Sequence, residues 1–475
     1  MIPMSLSRIA ALTGGRLHGI SEQEASALVV DGPVVTDSRE AGPGGLYVAR
    51  VGESMDGHQF VGSARDAGAV AALTTREVED LPCVVVDDIQ DGFVALARGV
   101  LQAHPEITVI GITGSSGKTS TKDLLASVLS AAGPTVAPVG SLNSEVGVPL
   151  TVCRIADDTR FLIVEMGARG MGHIEYLADI AEPTIGIVLN VGTAHVGEFG
   201  SREAIGRAKA ELVAALPDGG LAVLNADDPV VRAMVGQTAA RALLVGASHE
   251  AGLRATDIDL DGAGRPSFTV SGDGVEAETR VTLPLHGEHH VGNALAVIAV
   301  ALECGMAMGD VAEALADARP ASRWRMEVTE RADGVTIIND AYNANPDSMR
   351  AALKALVAMG RGRRTWAVLG SMLELGDEST TEHDAIGRLA VRLNVSRLVV
   401  VGETARPMAS GAQHEGSWGD EAVWVPDADA AYELLSRELA AGDVVLFKSS
   451  RDAGLRWLGD RLAGLSAPDS MEDAT

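Results

Sequence analysis

The sequence has few aromatic residues, few cysteines and no long apolar runs. These shortages argue against an aromatic core, a disulfide framework and a membrane span. Aromatic residues make up 3% of the 475 positions, so a folded core must consist mainly of Val, Leu, Ile and Ala. The three cysteines, Cys83, Cys153 and Cys304, are too few for a disulfide framework and favour a reducing compartment. Residues 1–14 contain no long apolar run, so we expect no secretory signal. The most apolar stretch, 293–308, is interrupted by Glu303, which predicts a buried helix over 293–303. We therefore expect a cytoplasmic protein without a membrane span.

Positive charge is also scarce. The chain has 65 Asp and Glu against 38 Lys and Arg, a formal net charge of −27. A field of that sign repels nucleic acid and anionic membrane surfaces, so we expect neither as a partner. An anionic small-molecule substrate has to be held by a local cluster of cations. Only five of the cations are lysines. Lys118 and Lys209 are at positions where a compact amine could serve a function that the guanidinium of arginine could not.

The length predicts two to four domains, and three blocks can be distinguished. We place them at 1–103, 104–319 and 320–466, followed by a disordered acidic tail at 467–475. In the second and third blocks, apolar strands alternate with helical patterns, which is typical of parallel sheets with helical crossovers. Segment 251–285, rich in turn residues, predicts an antiparallel extension of the second sheet. The expected fold class is α/β.

The strongest local signal is a glycine- and serine-rich loop. It follows the predicted strand 107–112 and opens a predicted helix at 118–132. The glycines let backbone N–H groups face a phosphate, the lysine can reach the β- and γ-phosphates, and the threonine can hold Mg²⁺. The general pattern has a glycine where this chain has Ile112, so an ordinary turn is the alternative. The predicted nucleotide-binding residues are Thr113, Gly114, Ser115, Ser116, Gly117, Lys118 and Thr119.

Three residues further along suggest a metal site. Glu165 ends a predicted strand next to the loop, and His195 follows the next strand, so both belong to the edge where ligands bind in open α/β sheets. Lys209 lies on the apolar face of the predicted helix 201–216, where a lysine needs a partner or a function. The alternatives are a carboxylate that caps a turn, a hydrogen-bonded loop histidine and a lysine whose amine reaches water.

Together these residues resemble the Mur ligase family of peptidoglycan synthesis. The resemblance implies an ATP-binding central domain with a P-loop-type parallel sheet, a small α/β N-terminal domain that holds a UDP-linked substrate, and a Rossmann-like C-terminal domain. It implies a site for two Mg²⁺ ions formed by Thr119, Glu165, His195 and Lys209, with Lys209 carbamylated. It also implies that Asn293, Arg325 and Asp340 contact ATP, and that Lys118, Lys209, His195 and Arg325 serve catalysis.

Further motifs indicate which reaction the family resemblance implies. The segments 340–346, 372–376 and 402–405 are similar to those of the members that add D-alanyl-D-alanine to a UDP-N-acetylmuramoyl tripeptide. The resemblance assigns substrate contacts to Ser38, Arg39, Asn143, Tyr342, Asn343 and Asn345. The expected chemistry is amide formation through an acyl phosphate in a monomer. Another Mur-type or folylpolyglutamate-type ligase, and a nucleotide-dependent switch protein, remain as alternatives.

Overall fold

The architecture consists of three main sheets with helices packed on them, in a computed structural model that describes residues 1–52, 55–192, 196–319, 321–417 and 421–465. The strands are β1 Met4–Ser5, β2 Arg16–His18, β3 Val29–Val30, β4 Val34–Val35, β5 Gly45–Val48, β6 Ala69–Thr74, β7 Cys83–Val85, β8 Thr108–Thr113, β9 Thr135–Val136, β10 Phe161–Glu165, β11 Ile185–Val188, β12 Leu221–Asn225, β13 Arg241–Gly246, β14 Leu253–Leu260, β15 Pro266–Gly272, β16 Thr279–Thr282, β17 Glu327–Glu330, β18 Thr336–Asn339, β19 Thr365–Leu369, β20 Arg397–Val401, β21 Ala422–Val425 and β22 Val444–Lys448. The helices are α1 Leu6–Thr13, α2 Glu22–Ala27, α3 Val61–Asp66, α4 Ile89–Gln102, α5 Lys118–Ser130, α6 Gly147–Val152, α7 His173–Ala181, α8 Val196–Phe199, α9 Arg202–Ala214, α10 Pro229–Arg232, α11 His290–Glu303, α12 Met308–Asp317, α13 Pro346–Met359, α14 Ser379–Arg392, α15 Pro407–Glu415, α16 Ala428–Glu438 and α17 Leu455–Ala463.

The N-terminal sheet has the strand order β2-β7-β6-β5-β4, and its strands are parallel except for the β2–β7 pair. A separate two-stranded ribbon joins β1 to β3. Helix α4 buries Phe93, Leu96 and Val100 in a core that continues onto β10 of the next sheet. The N-terminal module is therefore packed directly against the central one.

The central sheet has nine strands in the order β16-β15-β14-β13-β12-β11-β8-β10-β9. The run from β9 to β14 is parallel, whereas β14, β15 and β16 pair antiparallel. The predicted antiparallel extension of this sheet is thereby confirmed. Helix α11 is buried along nearly its whole length between α5 and the sheet. A helix that is apolar on all its faces requires such burial. The carboxyl ends of β8, β10 and β11 meet at one edge.

The third sheet has six strands in the order β17-β18-β22-β19-β20-β21, parallel except for the β17–β18 pair. Helices cover both of its faces and form one core on each side. This is the doubly wound arrangement that the sequence predicted, and the α/β fold class is confirmed.

Small differences separate the predicted elements from the observed ones. Helix α11 starts at His290, three residues before the predicted start, because His290 is buried with the apolar positions that follow it. The sequence pattern predicts a helix over 348–358, whereas α13 starts at Pro346, since Asn345 accepts from the Ser348 N–H and caps the first turn. Strand β10 ends at Glu165, in agreement with the prediction. None of the described helices is long and apolar enough to cross a membrane.

Candidate functional site

A cleft of about 840 Å³ lies where the central and third sheets meet. We call it the central cleft. It is lined by the phosphate loop 114–120, by segments that follow β9, β10 and β11, by the start of α11, and by residues of the third sheet between 325 and 452. A smaller pocket of about 290 Å³ adjoins it and shares Asn190, His289 and Asn293 with it. Most residues singled out from the sequence lie in this region.

The phosphate loop connects the end of β8 to the start of α5. Gly117 has φ 84°, a left-handed conformation that favours glycine, and it places the next N–H groups at the open end of the helix. Asn190, directly after β11, holds the loop in shape: its Oδ1 accepts from the Ser116 N–H at 2.9 Å and its Nδ2 donates to the Ser116 carbonyl at 3.1 Å. These two hydrogen bonds fix the backbone conformation of the loop.

Glu165 is the buried carboxylate of the cleft. One of its oxygens accepts from Thr119 Oγ1 at 3.0 Å, and the other accepts from Ser141 Oγ at 2.8 Å and Asn143 Nδ2 at 2.7 Å. A carboxylate and a threonine hydroxyl at hydrogen-bond distance are oxygen ligands that suit Mg²⁺, which usually takes few protein ligands and completes its shell with phosphates and water. Among the residues that the structure describes, no cluster of three His, Cys, Asp or Glu forms a protein-only metal cage.

Two lysines, Lys118 and Lys209, also line the central cleft. Burial lowers the pKa of Lys118, and Arg325 lowers it further, whereas Glu165 opposes the shift. Burial lowers the pKa of Lys209 to about 7, and the charge of Lys118 contributes to the shift. Lys209 lies on the buried face of α9, as its spacing predicted, and its side chain lines the cleft. An amine with such a pKa is partly neutral near pH 7 and is therefore nucleophilic.

Arg325 connects the third sheet to the phosphate loop. Its Nη2 donates to Thr119 Oγ1 at 3.3 Å, and its guanidinium lies over the Tyr342 ring, 4.2 Å from the centroid. The Nε atom is buried and has no described partner. The aromatic face fixes the guanidinium at the loop, where it can meet a phosphate oxygen.

Asp340 and Lys448 form a buried pair at the wall of the cleft. Lys448 Nζ donates to Asp340 Oδ2 at 2.6 Å and to the Asn343 carbonyl at 3.1 Å, while the other Asp340 oxygen accepts from the Met326 N–H. Burial lowers the pKa of Lys448, which the contact with Asp340 counteracts. Asp340, predicted as a nucleotide contact, thus already orders the segments around Arg325 and Asn343.

Asn293 and Asn345 both lie against the phosphate loop. A Cβ atom on Gly117 would come within 2.9 Å of Asn293 Oδ1. The neighbouring His290 is buried, and burial together with His289 keeps its pKa well below the usual range. Its Nδ1 lies 3.4 Å from Asn293 Nδ2, so a neutral imidazole can orient that amide. Asn345 Nδ2 donates to the Ser115 carbonyl at 3.2 Å.

Some sequence-based assignments fall elsewhere. Ser38 and Arg39 lie in a short 3₁₀ turn of the N-terminal module, apart from the residues that line the cleft, and Arg39 pairs with Asp37. His195 lies outside the described residues. Asn190 and Ser141 received no role from the sequence, although both contact predicted site residues. A signal existed for Asn190, because it is the first polar residue after a predicted strand.

Comparisons with known proteins agree with this geometry. Family models match at residues 33–100 (Mur ligase family, catalytic domain), 112–301 (Mur ligase middle domain) and 324–451 (Mur ligase, glutamate ligase domain). The UDP-N-acetylmuramoyl-tripeptide–D-alanyl-D-alanine ligase of Mycobacterium tuberculosis is 49% identical, over 97% of this chain and 98% of that protein. The Escherichia coli ligase of the same name is 32% identical, over 96% and 97%.

Solved structures of MurF ligases have the same fold as this chain. The crystal structure I of MurF from Acinetobacter baumannii superposes with a TM-score of 0.86 at 30% identity, covering 97% of this chain and 99% of that one. The MurF ligase of Thermotoga maritima in complex with ADP has a TM-score of 0.77 at 28% identity, covering 91% and 97%.

Proposed function

The chain belongs to the Mur ligase family, and from that premise we propose that it uses ATP to join D-alanyl-D-alanine to UDP-N-acetylmuramoyl tripeptide. The products are the UDP-linked pentapeptide precursor of peptidoglycan, ADP and phosphate. One observation carries the substrate assignment: the 49% identity to a ligase of that name extends across 97% of this chain. The cleft adds a phosphate loop, a buried carboxylate and several cations in one place.

The first step makes an acyl phosphate. A carboxylate oxygen of the tripeptide attacks the γ-phosphorus of ATP, the bond to the bridging oxygen breaks, and ADP leaves. Two anions must approach each other, so positioning and charge neutralisation matter more than covalent help. The loop N–H groups, Lys118 and Arg325 supply positive charge around the transferring group, and the side pocket next to Asn293 suits the adenine.

The second step forms the amide. The neutral amine of D-alanyl-D-alanine attacks the acyl carbon, phosphate leaves with the electrons of the broken carbon–oxygen bond, and the amine loses a proton. Water would destroy the acyl phosphate, so the cleft has to be shielded during the reaction. Arg325 and Asn345 already connect the third sheet to the phosphate loop, which is the contact that such shielding requires.

Magnesium fits the donors that are present. Thr119 and Glu165 would hold the ion, which neutralises developing charge on the phosphate oxygens when bound. Two ions need a further ligand of negative charge. We propose that Lys209 provides it as a carbamate, formed when its neutral amine adds to CO₂ and loses a proton. Burial and a pKa of about 7 support this, because they make the neutral amine available near pH 7.

We further propose that residues 1–103 hold the UDP end of the substrate, with Ser38 and Arg39 among its contacts, that 104–319 bind ATP and that 320–466 close over them. Asn143, Tyr342 and Asn343 line the cleft where a peptide has to pass. ATP and UDP-linked peptides are compounds of the cytoplasm, so we place the reaction there.

A reconstituted assay tests the function. The purified chain, ATP, Mg²⁺, D-alanyl-D-alanine and UDP-N-acetylmuramoyl tripeptide should yield phosphate and a UDP-linked pentapeptide identified by mass. Phosphate release that depends on glutamate and a folate, or that needs no amine acceptor, would instead favour a folylpolyglutamate-type ligase or a nucleotide switch. A control reaction replaces the tripeptide by the UDP-linked dipeptide and D-alanyl-D-alanine by a single amino acid. Product formation in that control would favour another Mur-type reaction.

A further inference from the structure

Arg169 is an exposed cation in the central cleft to which the mechanism gives no role. It follows Glu165 by four residues, in the turn between β10 and α7. Among the described residues its guanidinium has no hydrogen-bond or ion-pair partner, and only its backbone N–H is engaged, by His173 Nδ1 at 3.3 Å. In a chain with a net charge of −27, a cation left available inside a cleft is suited to an anionic ligand.

The turn that carries Arg169 is fixed from a neighbouring helix. Glu211 of α9 accepts from three N–H groups at the start of α7: Gly172 at 2.7 Å, Ile174 at 3.1 Å and Glu175 at 3.1 Å. Gly172 offers no side-chain cap of its own, so Glu211 supplies it. Lys209 lies two residues before Glu211 on the same helix. The position of Arg169 is therefore tied to the helix that carries the lysine of the reaction centre.

Helix α7 leads from the reaction centre toward the N-terminal module. In the turn that precedes α7, two residues after Glu165, the Gly167 N–H donates to the Asn143 carbonyl. One turn into the helix, Tyr176 lines the cleft, and its hydroxyl lies 3.4 Å from Gln90 Nε2 of α4. A substrate whose UDP end is held by the N-terminal module and whose reacting carboxylate is at the phosphate loop must pass along this helix.

We propose that Arg169 binds a carboxylate of the UDP-linked peptide other than the one that is activated, an inference that rests on the proposed function. A peptide with an alanyl-D-glutamyl-2,6-diaminopimelate sequence, as in the name of an A. baumannii relative, has two sources of such a group: the glutamyl residue and the far end of diaminopimelate. A guanidinium can hold either with two parallel hydrogen bonds. Arg169 is then a specificity-determining residue for the acyl donor.

Binding and kinetics of Arg169→Ala and Arg169→Lys in the full-length enzyme test this. Calorimetric titration with UDP-N-acetylmuramoyl tripeptide should show roughly ten- to hundredfold weaker binding for the alanine variant, with partial recovery for lysine. In the assay, the KM for the tripeptide should rise in parallel, while the KM values for ATP and D-alanyl-D-alanine stay within about twofold. Arg207→Ala is the charge-matched control, because Arg207 is exposed on α9 and does not line the cleft.

Peptides with lysine in place of diaminopimelate distinguish the two sources. If the loss of affinity persists with the lysine peptide, the glutamyl carboxylate is the partner, and if it disappears, the far carboxylate of diaminopimelate is. The proposal would be overturned if Arg169→Ala bound the tripeptide as tightly as the unaltered enzyme, or if only its KM for D-alanyl-D-alanine rose. Absence of the pentapeptide product with the unaltered enzyme would refute the proposed function instead, and the titration would still report on Arg169.

Discussion

Asn345 donates from its Nδ2 to the carbonyl of Ser115 while its Oδ1 caps helix α13. One amide thus connects the first turn of a helix in the third sheet to the phosphate loop of the central sheet. Asn345 therefore couples the geometry of the loop to the placement of the third sheet, as the contact of Arg325 with Thr119 also does. The two functions of this amide can be separated by substitution.

Replacing Asn345 by serine keeps a capping oxygen but removes the amide Nδ2 that reaches the Ser115 carbonyl, whereas alanine removes both. We expect both variants to lower kcat/KM for ATP about three- to tenfold, the size of one neutral hydrogen bond. Only alanine should also destabilise the chain, by about 1 kcal/mol, because the cap is lost. Steady-state kinetics and thermal unfolding of the two variants check this. Equal melting temperatures for serine and alanine would contradict the capping role.

Glu165 should be needed as a charge and not only as a hydrogen-bond acceptor. In Glu165→Gln an NH₂ group replaces one of the two accepting oxygens. At least one of the donors Thr119, Ser141 and Asn143 then loses its acceptor. We expect kcat to fall at least about a hundredfold and half-maximal Mg²⁺ to rise. Glu203→Gln, an exposed position on α9, is the matched control. A variant with normal Mg²⁺ dependence would show that Glu165 holds no metal.

Lys209 should make the stability of the folded chain depend on pH. Its pKa falls from 10.5 to about 7 in the folded chain, so between these values the unfolded state binds more protons and stability rises with pH. With CO₂ present, Lys209→Met should abolish activity, because the proposed carbamate cannot form. In CO₂-free buffer the same variant should be more stable than the unaltered chain at pH 7, by up to roughly 3–5 kcal/mol, and by less at pH 10. Melting temperatures of the unaltered chain and of Lys209→Met at pH 7 and pH 10 measure this difference in stability. A destabilised methionine variant at pH 7 would contradict it.

Carbamate formation at Lys209 predicts a requirement for CO₂. Activity of the unaltered enzyme should fall in degassed buffer and return with bicarbonate. Since only the neutral amine reacts with CO₂, the recovery should be more complete at pH 8 than at pH 6, with a midpoint close to the pKa of about 7. Activity that is indifferent to CO₂ across this range would leave Lys209 as an unmodified lysine.

Glu211 should act on the substrate through helix α7. Glu211→Ala leaves three N–H groups at the start of α7 without their shared acceptor, so the turn that carries Arg169 is released. We expect the KM for the UDP-linked tripeptide to rise roughly tenfold while the KM for ATP changes little, with partial recovery in Glu211→Gln, which retains one acceptor oxygen. A variant that loses only thermal stability would limit Glu211 to a structural role.

The fold was largely predictable from the sequence because its signals are local. Strands of the central sheet were located by apolar runs, and α5 by the glycine loop that precedes it. Buried helix α11 was recognised from its apolar run, although its start was misplaced by three residues, since the burial of His290 depends on neighbours distant in sequence. Strand β13 carries an exposed Arg241 at its start and was not predicted.

The site was predictable in its residue types but not in its connections. Glu165 and Lys209 were singled out by their position at a strand end and on an apolar helix face. No pattern indicated that Ser141 would share Glu165 with Thr119, or that Glu211 would cap α7, because both contacts join segments whose approach is set by the packing of the whole sheet. Hydrogen bonds of this kind are a property of the folded chain.

The distribution of the five lysines has a practical consequence. Lys122, Lys209 and Lys448 are buried, Lys118 donates to the carbonyl of Gly114 inside the cleft, and Lys354 alone among the five is exposed. Among the five lysines, an acylating dye should therefore attach chiefly at Lys354 on α13, and the α-amino group of Met1 is the other amine that reacts. Paired with a fluorescent ATP analogue, a dye on Lys354 would report movements of the third sheet as a change of energy transfer, with Lys354→Arg as the control for dye on Met1.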